Sequence, residues 1–177
     1  MKAVELETER LLLKRLTTNH LSDTYVSWLN DNEVNKYLET RGGYSLVKLK
    51  SFLIDQEKKN IFFWAIHLKD SFEHIGNIKI DPINLKDNSG EYGILMGSKE
   101  HWGKGYAKEA SQVVIEFCFK VVSLKKIDLG VIENNESAVS LYKKLGFQTY
   151  QVIEKYGYYD GNDSKLIRMT LWNRNDE

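Results

Sequence analysis

The chain reads as an α+β protein, and three features carry that reading. Apolar residues recur at helical spacing in the first third. Short runs rich in branched and aromatic residues, separated by turn residues, fill the middle. Beyond Gly105, helical and strand patterns alternate.

Taken in order, leucine-dense residues 10–16 predict a first strand. Two short helices are predicted over 19–28 and 31–38, with Asp31 capping the second. Ser45 is placed to cap a third helix, whose Leu46, Leu49, Phe52 and Leu53 share a face. Residues 61–68, 74–83 and 91–96 predict consecutive antiparallel strands, separated by turn signals at Asp70-Ser71 and Asp87-Asn88-Ser89-Gly90. Ala107, Ala110, Val114, Phe117 and Cys118 then mark one face of a helix. Residues 126–131 predict a strand, and 135–145 a helix ended by Gly146. Two last strands, 149–159 and 164–172, flank the turn pair Asp160-Gly161.

Length and composition bound the function classes. The 177 residues suit one domain spanning 1–177, and 42% hydrophobic content supports a buried core. Lys and Arg number 25, as do Asp and Glu, so no basic surface suits a nucleic-acid backbone. The longest apolar run, residues 61–66, is too short to cross a membrane. Acids within residues 1–7 replace the apolar core of a secretory leader, so a cytoplasmic protein is expected. One cysteine excludes an internal disulfide or a clustered-thiolate metal site, and the four histidines lack metal-ligand spacing.

The chemistry concentrates in Trp102-Gly103-Lys104-Gly105-Tyr106-Ala107, between a strand and a helix. Glycine and alanine let the backbone bend tightly and approach a bulky ligand. The unpartnered N–H groups of a helix start attract phosphate oxygens, and Lys104 adds a cation. The nucleoside-triphosphate loop fails in register, because Trp102 stands five residues after Gly97. The dinucleotide fingerprint fails at Lys108.

This segment resembles the acyl-CoA loop of the GCN5-related N-acetyltransferases, [QR]-x-x-G-x-[GA], with Trp102 in place of the usual Gln or Arg. Downstream, residues 135–147 resemble the family's N-x-x-A-x-x-L-Y-x-K-x-G-F helix through Asn135, Ala138, Leu141, Tyr142, Lys144, Gly146 and Phe147, with a lysine also at position 143. Thr8-Glu9-Arg10-Leu11, Trp28-Leu29-Asn30-Asp31 and Leu166-Ile167-Arg168-Met169 are similar to segments of the ribosomal-protein and spermidine N-acetyltransferase branch.

The resemblance implies a central mixed, mostly antiparallel sheet flanked by helices. It also implies acetyl transfer from acetyl-CoA to a primary amine by direct attack in a ternary complex. Trp102, Gly103, Lys104, Gly105, Tyr106, Ala107 and Asn135 would contact CoA, with no metal. Backbone amides at Leu95 and Met96 would receive the thioester oxygen. Tyr142 would be the acid for the leaving thiolate, and Glu91 a base acting through water.

Each assignment has a plainer counterpart. Tyr142 sits at the spacing of a core residue, and Glu91 on an alternating strand equally fits a solvent-facing carboxylate. Asn135 is a natural N-cap, and Cys118 on an apolar face reads as a buried inert thiol. Trp28, Tyr37 and Tyr158 are candidates to line the acceptor site. The acceptor is expected to be a small-molecule amine such as an amino sugar or polyamine, with a peptide or protein N-terminus as the alternative. A non-catalytic CoA-binding sensor is the alternative of another class. The family also admits a homodimer.

Overall fold

A computed structural model describes residues 3–40, 42–159 and 161–173. Its strands are β1 (Leu6–Glu7), β2 (Leu11–Arg15), β3 (Phe62–Leu68), β4 (His74–Asn84), β5 (Ser89–Met96), β6 (Lys126–Ile132), β7 (Gln148–Tyr159) and β8 (Asn162–Trp172). The helices are α1 (Asp23–Asn30), α2 (Asn32–Asn35), α3 (Leu46–Lys58), α4 (Tyr106–Lys120) and α5 (Glu136–Lys144). All eight strands join one sheet in the order β1-β2-β3-β4-β5-β6-β8-β7. Every pairing is antiparallel except β5 with β6.

Strand alternation divides the core in two. Phe62, Trp64 and Ile66 of β3 pack toward α4 and α5, together with Val114, Phe117 and Tyr142. Phe63 and Ala65, one residue out of step, pack with Trp28, Leu29, Leu49 and Leu53 of α1 and α3. The sheet is therefore covered on both faces. Burying a large apolar side chain contributes about 1.5–3 kcal/mol, and Trp64, Phe62, Leu49 and Leu53 are almost fully enclosed.

The helix starts follow capping chemistry. Ser22, Asp31, Ser45 and Asn135 accept the N–H groups of Tyr25, Glu33, Lys48 and Ala138. Gly146, at φ 94°, ends α5 in the left-handed region. The expected helix over 19–28 divides, because Ser22 is a working cap and Thr18–His20 closes into a separate 3-10 turn. The expected helix over 31–38 stops at Asn35, whose buried side-chain amide donates to Leu29 O at 2.9 Å. Strand β1 was not expected; it is two residues added to the edge at β2. Asp160 of the expected turn pair lies outside the described residues.

One irregularity organises the site. Strands β5 and β6 pair only through Ser89/Lys126, Gly90/Ile127 and Glu91/Asp128. Beyond Glu91 they part, so residues 92–96 and 129–132 border an open fork. The adjoining pairs, β4 with β5 and β6 with β8, continue along both arms.

Candidate active site

Beside the fork, the chain leaves β5, makes a 3-10 turn at Lys99–His101, and enters α4 through Gly103 (φ 73°) and Gly105 (φ 83°). Both glycines occupy the left-handed region that a side chain disfavours. Gly105 stands at the N-cap, and no side chain caps α4. The backbone N–H groups of Gly103, Lys104, Gly105, Tyr106, Ala107 and Lys108 have no acceptor among the described residues. Six successive free donors at the positive end of a 15-residue helix form a fitting cradle for a diphosphate.

Two side chains fix this loop. The Trp102 indole donates to Met96 O at 2.9 Å, tying the loop to the end of β5. Arg10, in the turn between β1 and β2, donates to Lys104 O at 3.1 Å and lies 4.5 Å from the Tyr106 ring centroid. It also pairs with Glu109 at 2.6 Å, while Thr8 donates to the other Glu109 oxygen at 2.6 Å. Burial alone would raise the Glu109 carboxyl, but the bonds from Thr8 and Arg10 outweigh it and hold the group below its usual range.

The fork separates two candidate reacting groups onto opposite faces. Tyr92, Ile94 and Met96 face the α4 and α5 core, whereas Leu95 packs toward α1 and α3. Glu91 shares the parity of Leu95. Tyr142, on α5, packs edge-on to Tyr92 at 5.6 Å and against Phe147 at 5.9 Å. Its hydroxyl makes no hydrogen bond with another described residue. Burial pushes this phenol up to about 12, so it stays protonated near neutrality and suits a donor.

Leu95 and Met96 lie on the open arm of β5, and the Met96 carbonyl is taken by Trp102. Asn135 caps α5 through Ala138 N at 3.3 Å and also accepts from Ser137 Oγ at 3.2 Å. Cys118 is buried on the inner face of α4, and desolvation pushes its thiol up to about 12. That is an inert core thiol, not a nucleophile.

Glu91 is not a free carboxylate. Arg168 of β8 donates Nη1 to Oε1 at 2.5 Å and Nη2 to Oε2 at 2.8 Å.

The remaining candidates lie in different settings. Trp28 is 5% exposed and lies against Gly97 so closely that a Cβ there would enter its indole ring. Tyr37, just after α2, donates its hydroxyl to Asn134 O at 2.8 Å, bridging the α2 segment to the loop before α5. Tyr158 is exposed on β7, past a bulge between Ile153 and Gly157. Asp31 and Glu33 converge on Lys99 at 2.7 and 3.3 Å, and Glu39 hydrogen-bonds Tyr156.

Comparison with known proteins bears on family and fold. Residues 10–148 match the family described as the acetyltransferase (GNAT) domain. The chain belongs to that family. An uncharacterised N-acetyltransferase of Bacillus subtilis, YoaA, is 31% identical over 88% of this chain and 89% of its own length. A spermidine N(1)-acetyltransferase of Escherichia coli K12 is 31% identical over 56% of this chain and 53% of its own. Among solved structures, spermidine N-acetyltransferase from Vibrio cholerae in complex with CoA and spermine superposes with a TM-score of 0.85 at 23% identity, covering 94% of this chain and 97% of that one. Ribosomal-protein-S5-alanine acetyltransferase from Vibrio fischeri gives 0.79 at 22% identity, covering 98% and 99%.

This GNAT N-acetyltransferase thus has the mixed, mostly antiparallel sheet that the motifs implied. No helix among the described residues is long and apolar enough to cross a membrane. The sequence reading missed three features of the site. Arg10 and Arg168 figured in it only as parts of family-like segments, without their partners Glu109 and Glu91. His20 lies far in sequence from His67 and His74, yet the three ring centroids are 5.2–5.3 Å apart, with His74 against Trp28. Pairing of β3 with β4 sets His67 opposite His74. Among the described residues, no group of metal-type side chains is arranged to hold an ion.

Proposed function

We propose that this protein, as one domain spanning 1–177, transfers an acetyl group from acetyl-CoA to the primary amine of a small molecule by direct attack in a ternary complex. The observation that carries this reading is the row of six free amides, Gly103 to Lys108, opening beside the fork. These amides and Lys104 would hold the CoA diphosphate, with Arg10 and Trp102 fixing the loop and Asn135 shaping the opposite wall at α5.

Acetyl-CoA supplies an activated thioester. Free N–H groups on the arm of β5 that carries Leu95 and Met96 would receive the carbonyl oxygen as negative charge develops on it. Tyr142 would donate its proton toward the departing sulfur; its raised pKa keeps that proton available. Glu91 would face the incoming amine from the other side of the fork. Each of its oxygens retains a lone pair after the bidentate contact with Arg168, so a water held there could relay the amine proton to the carboxylate.

Charge pairing supports an acceptor with a neutral, hydroxyl-bearing body, such as an amino sugar. Glu91 is neutralised by Arg168, and Lys99 offsets one of the two charges of Asp31 and Glu33. Tyr156 and Tyr158 add exposed aromatic surface. A polyamine is the second reading, favoured by the spermidine acetyltransferases among the relatives.

The test is acetyl-CoA-dependent thiol release over amino sugars, spermidine, spermine and an alanyl peptide. The highest kcat/KM is expected for an amino sugar. Preference for spermidine selects the second reading, and preference for the peptide selects N-terminal acetylation. CoA binding without amine-dependent thiol release refutes turnover and leaves a sensor.

A further inference from the structure

On β6, Gly130 stands in register with Arg168 of β8. A Cβ at Gly130 would come within 3.1 Å of Arg168 Nη1 and 3.2 Å of Leu166 Cδ1. Absence of a side chain there lets the guanidinium lie across β6 and reach β5, the next strand but one. There it grips both oxygens of Glu91, and its Nε donates to the Tyr150 hydroxyl at 3.1 Å. Every guanidinium nitrogen is therefore used.

This pair occupies a particular place. Glu91 is the last residue of β5 paired with β6, at the base of the fork. Side-chain exposures of 22% for Arg168 and 31% for Glu91 leave the carboxylate partly open. A planar guanidinium fixes both oxygens at once, whereas a lysine ammonium contacts a carboxylate as a point charge. Asp128, beside Glu91 on β6, is engaged by Lys126 at 2.7 Å and does not compete for Arg168.

We propose that Arg168, laid across the gap at Gly130, is a positioning residue that holds Glu91 in the orientation in which it meets the acceptor amine. The inference rests on the proposed acetyl transfer and deepens it. Arg168 touches neither reactant; it acts through Glu91.

The experiment uses the full chain with whichever amine the wild type acetylates, and compares Arg168→Gln, Arg168→Lys, Glu91→Gln, the Arg168→Gln/Glu91→Gln double variant and Gly130→Val. The readouts are kcat and KM for the amine, and the CoA dissociation constant by calorimetry. Arg168→Gln is expected to lower amine kcat/KM roughly 10-fold or more, with CoA affinity unchanged within about 2-fold. The double variant should be no worse than Glu91→Gln alone, because one residue acts through the other. Gly130→Val keeps the arginine but displaces it, and should reproduce the Arg168→Gln loss. Arg168→Lys should recover only part of the activity.

A further equal loss on adding Arg168→Gln to Glu91→Gln overturns the proposal, as does CoA affinity falling in step with turnover. A fully active Glu91→Gln enzyme overturns it while the acetyl transfer stands. A wild-type chain that acetylates no amine instead removes the reaction on which it rests.

Discussion

The two sides of the fork are built on different principles. On the proposed cofactor side, a continuous stretch of backbone from Gly103 to Lys108 presents free N–H groups. Its conformation is local, imposed by two glycines and a helix start. On the proposed acceptor side, side chains from distant segments meet: Glu91 with Arg168, Asp31 with Lys99, and His74 with Trp28, His20 and His67. The first design tolerates changes of side chain but not of backbone. The second depends on each partner.

The largest expected effect tests the buried histidine cluster. Burial, the leading cause, lowers His74 to about 4, and also lowers His67 and His20. An unfolded histidine titrates near 6.5, so between these values the unfolded chain binds more protons. Stability should therefore be intact above about pH 6.5 and decline as pH falls toward 4, with His74 alone contributing about 3 kcal/mol. Denaturant midpoints across that range check this, and His74→Gln should flatten the slope. An unchanged slope would separate the cluster from acid sensitivity.

Next comes Tyr142→Phe, which keeps the ring and removes the donor. A loss in kcat of about 100-fold, with CoA affinity preserved, is expected for an acid role. Intact turnover would return Tyr142 to pure packing against Tyr92 and Phe147.

Gly105→Val tests the backbone side. A non-glycine residue in the left-handed region costs about 1–2 kcal/mol, so CoA should bind roughly 10-fold more weakly while the domain stays folded. Trp102→Ala should cost less than this. Equal losses for the two variants would mean that side-chain contact matters as much as backbone geometry.

The smallest effect is expected for Tyr37→Phe. Losing its bond to Asn134 O removes about 1 kcal/mol of tethering. The amine KM should rise a few-fold without change in CoA affinity. Equal shifts in both constants would place the tether on the cofactor side.

This contrast also explains what was legible in the sequence. Helices α3, α4 and α5 and the strand runs of the middle were readable because capping and periodicity are local signals. The split at Ser22 was harder to read, since Thr17 and Ser22 both cap, only five residues apart. The tight turn into α4 was readable because glycine spacing encodes its geometry directly. The Arg168–Glu91 pair spans 77 residues and depends on the bare backbone of Gly130. Nothing local marks it. The histidine cluster needs the β3–β4 register and a separate turn, so spacing arguments passed over it.

The central claim is that the amides from Gly103 to Lys108 grip a diphosphate. Backbone amide resonances of nitrogen-15-labelled protein, followed during titration with CoA and with pantetheine, test it most directly. The largest shifts should fall on those six amides with CoA and be absent with pantetheine, which lacks the diphosphate. Six unmoved amides in a CoA-saturated protein would contradict the account.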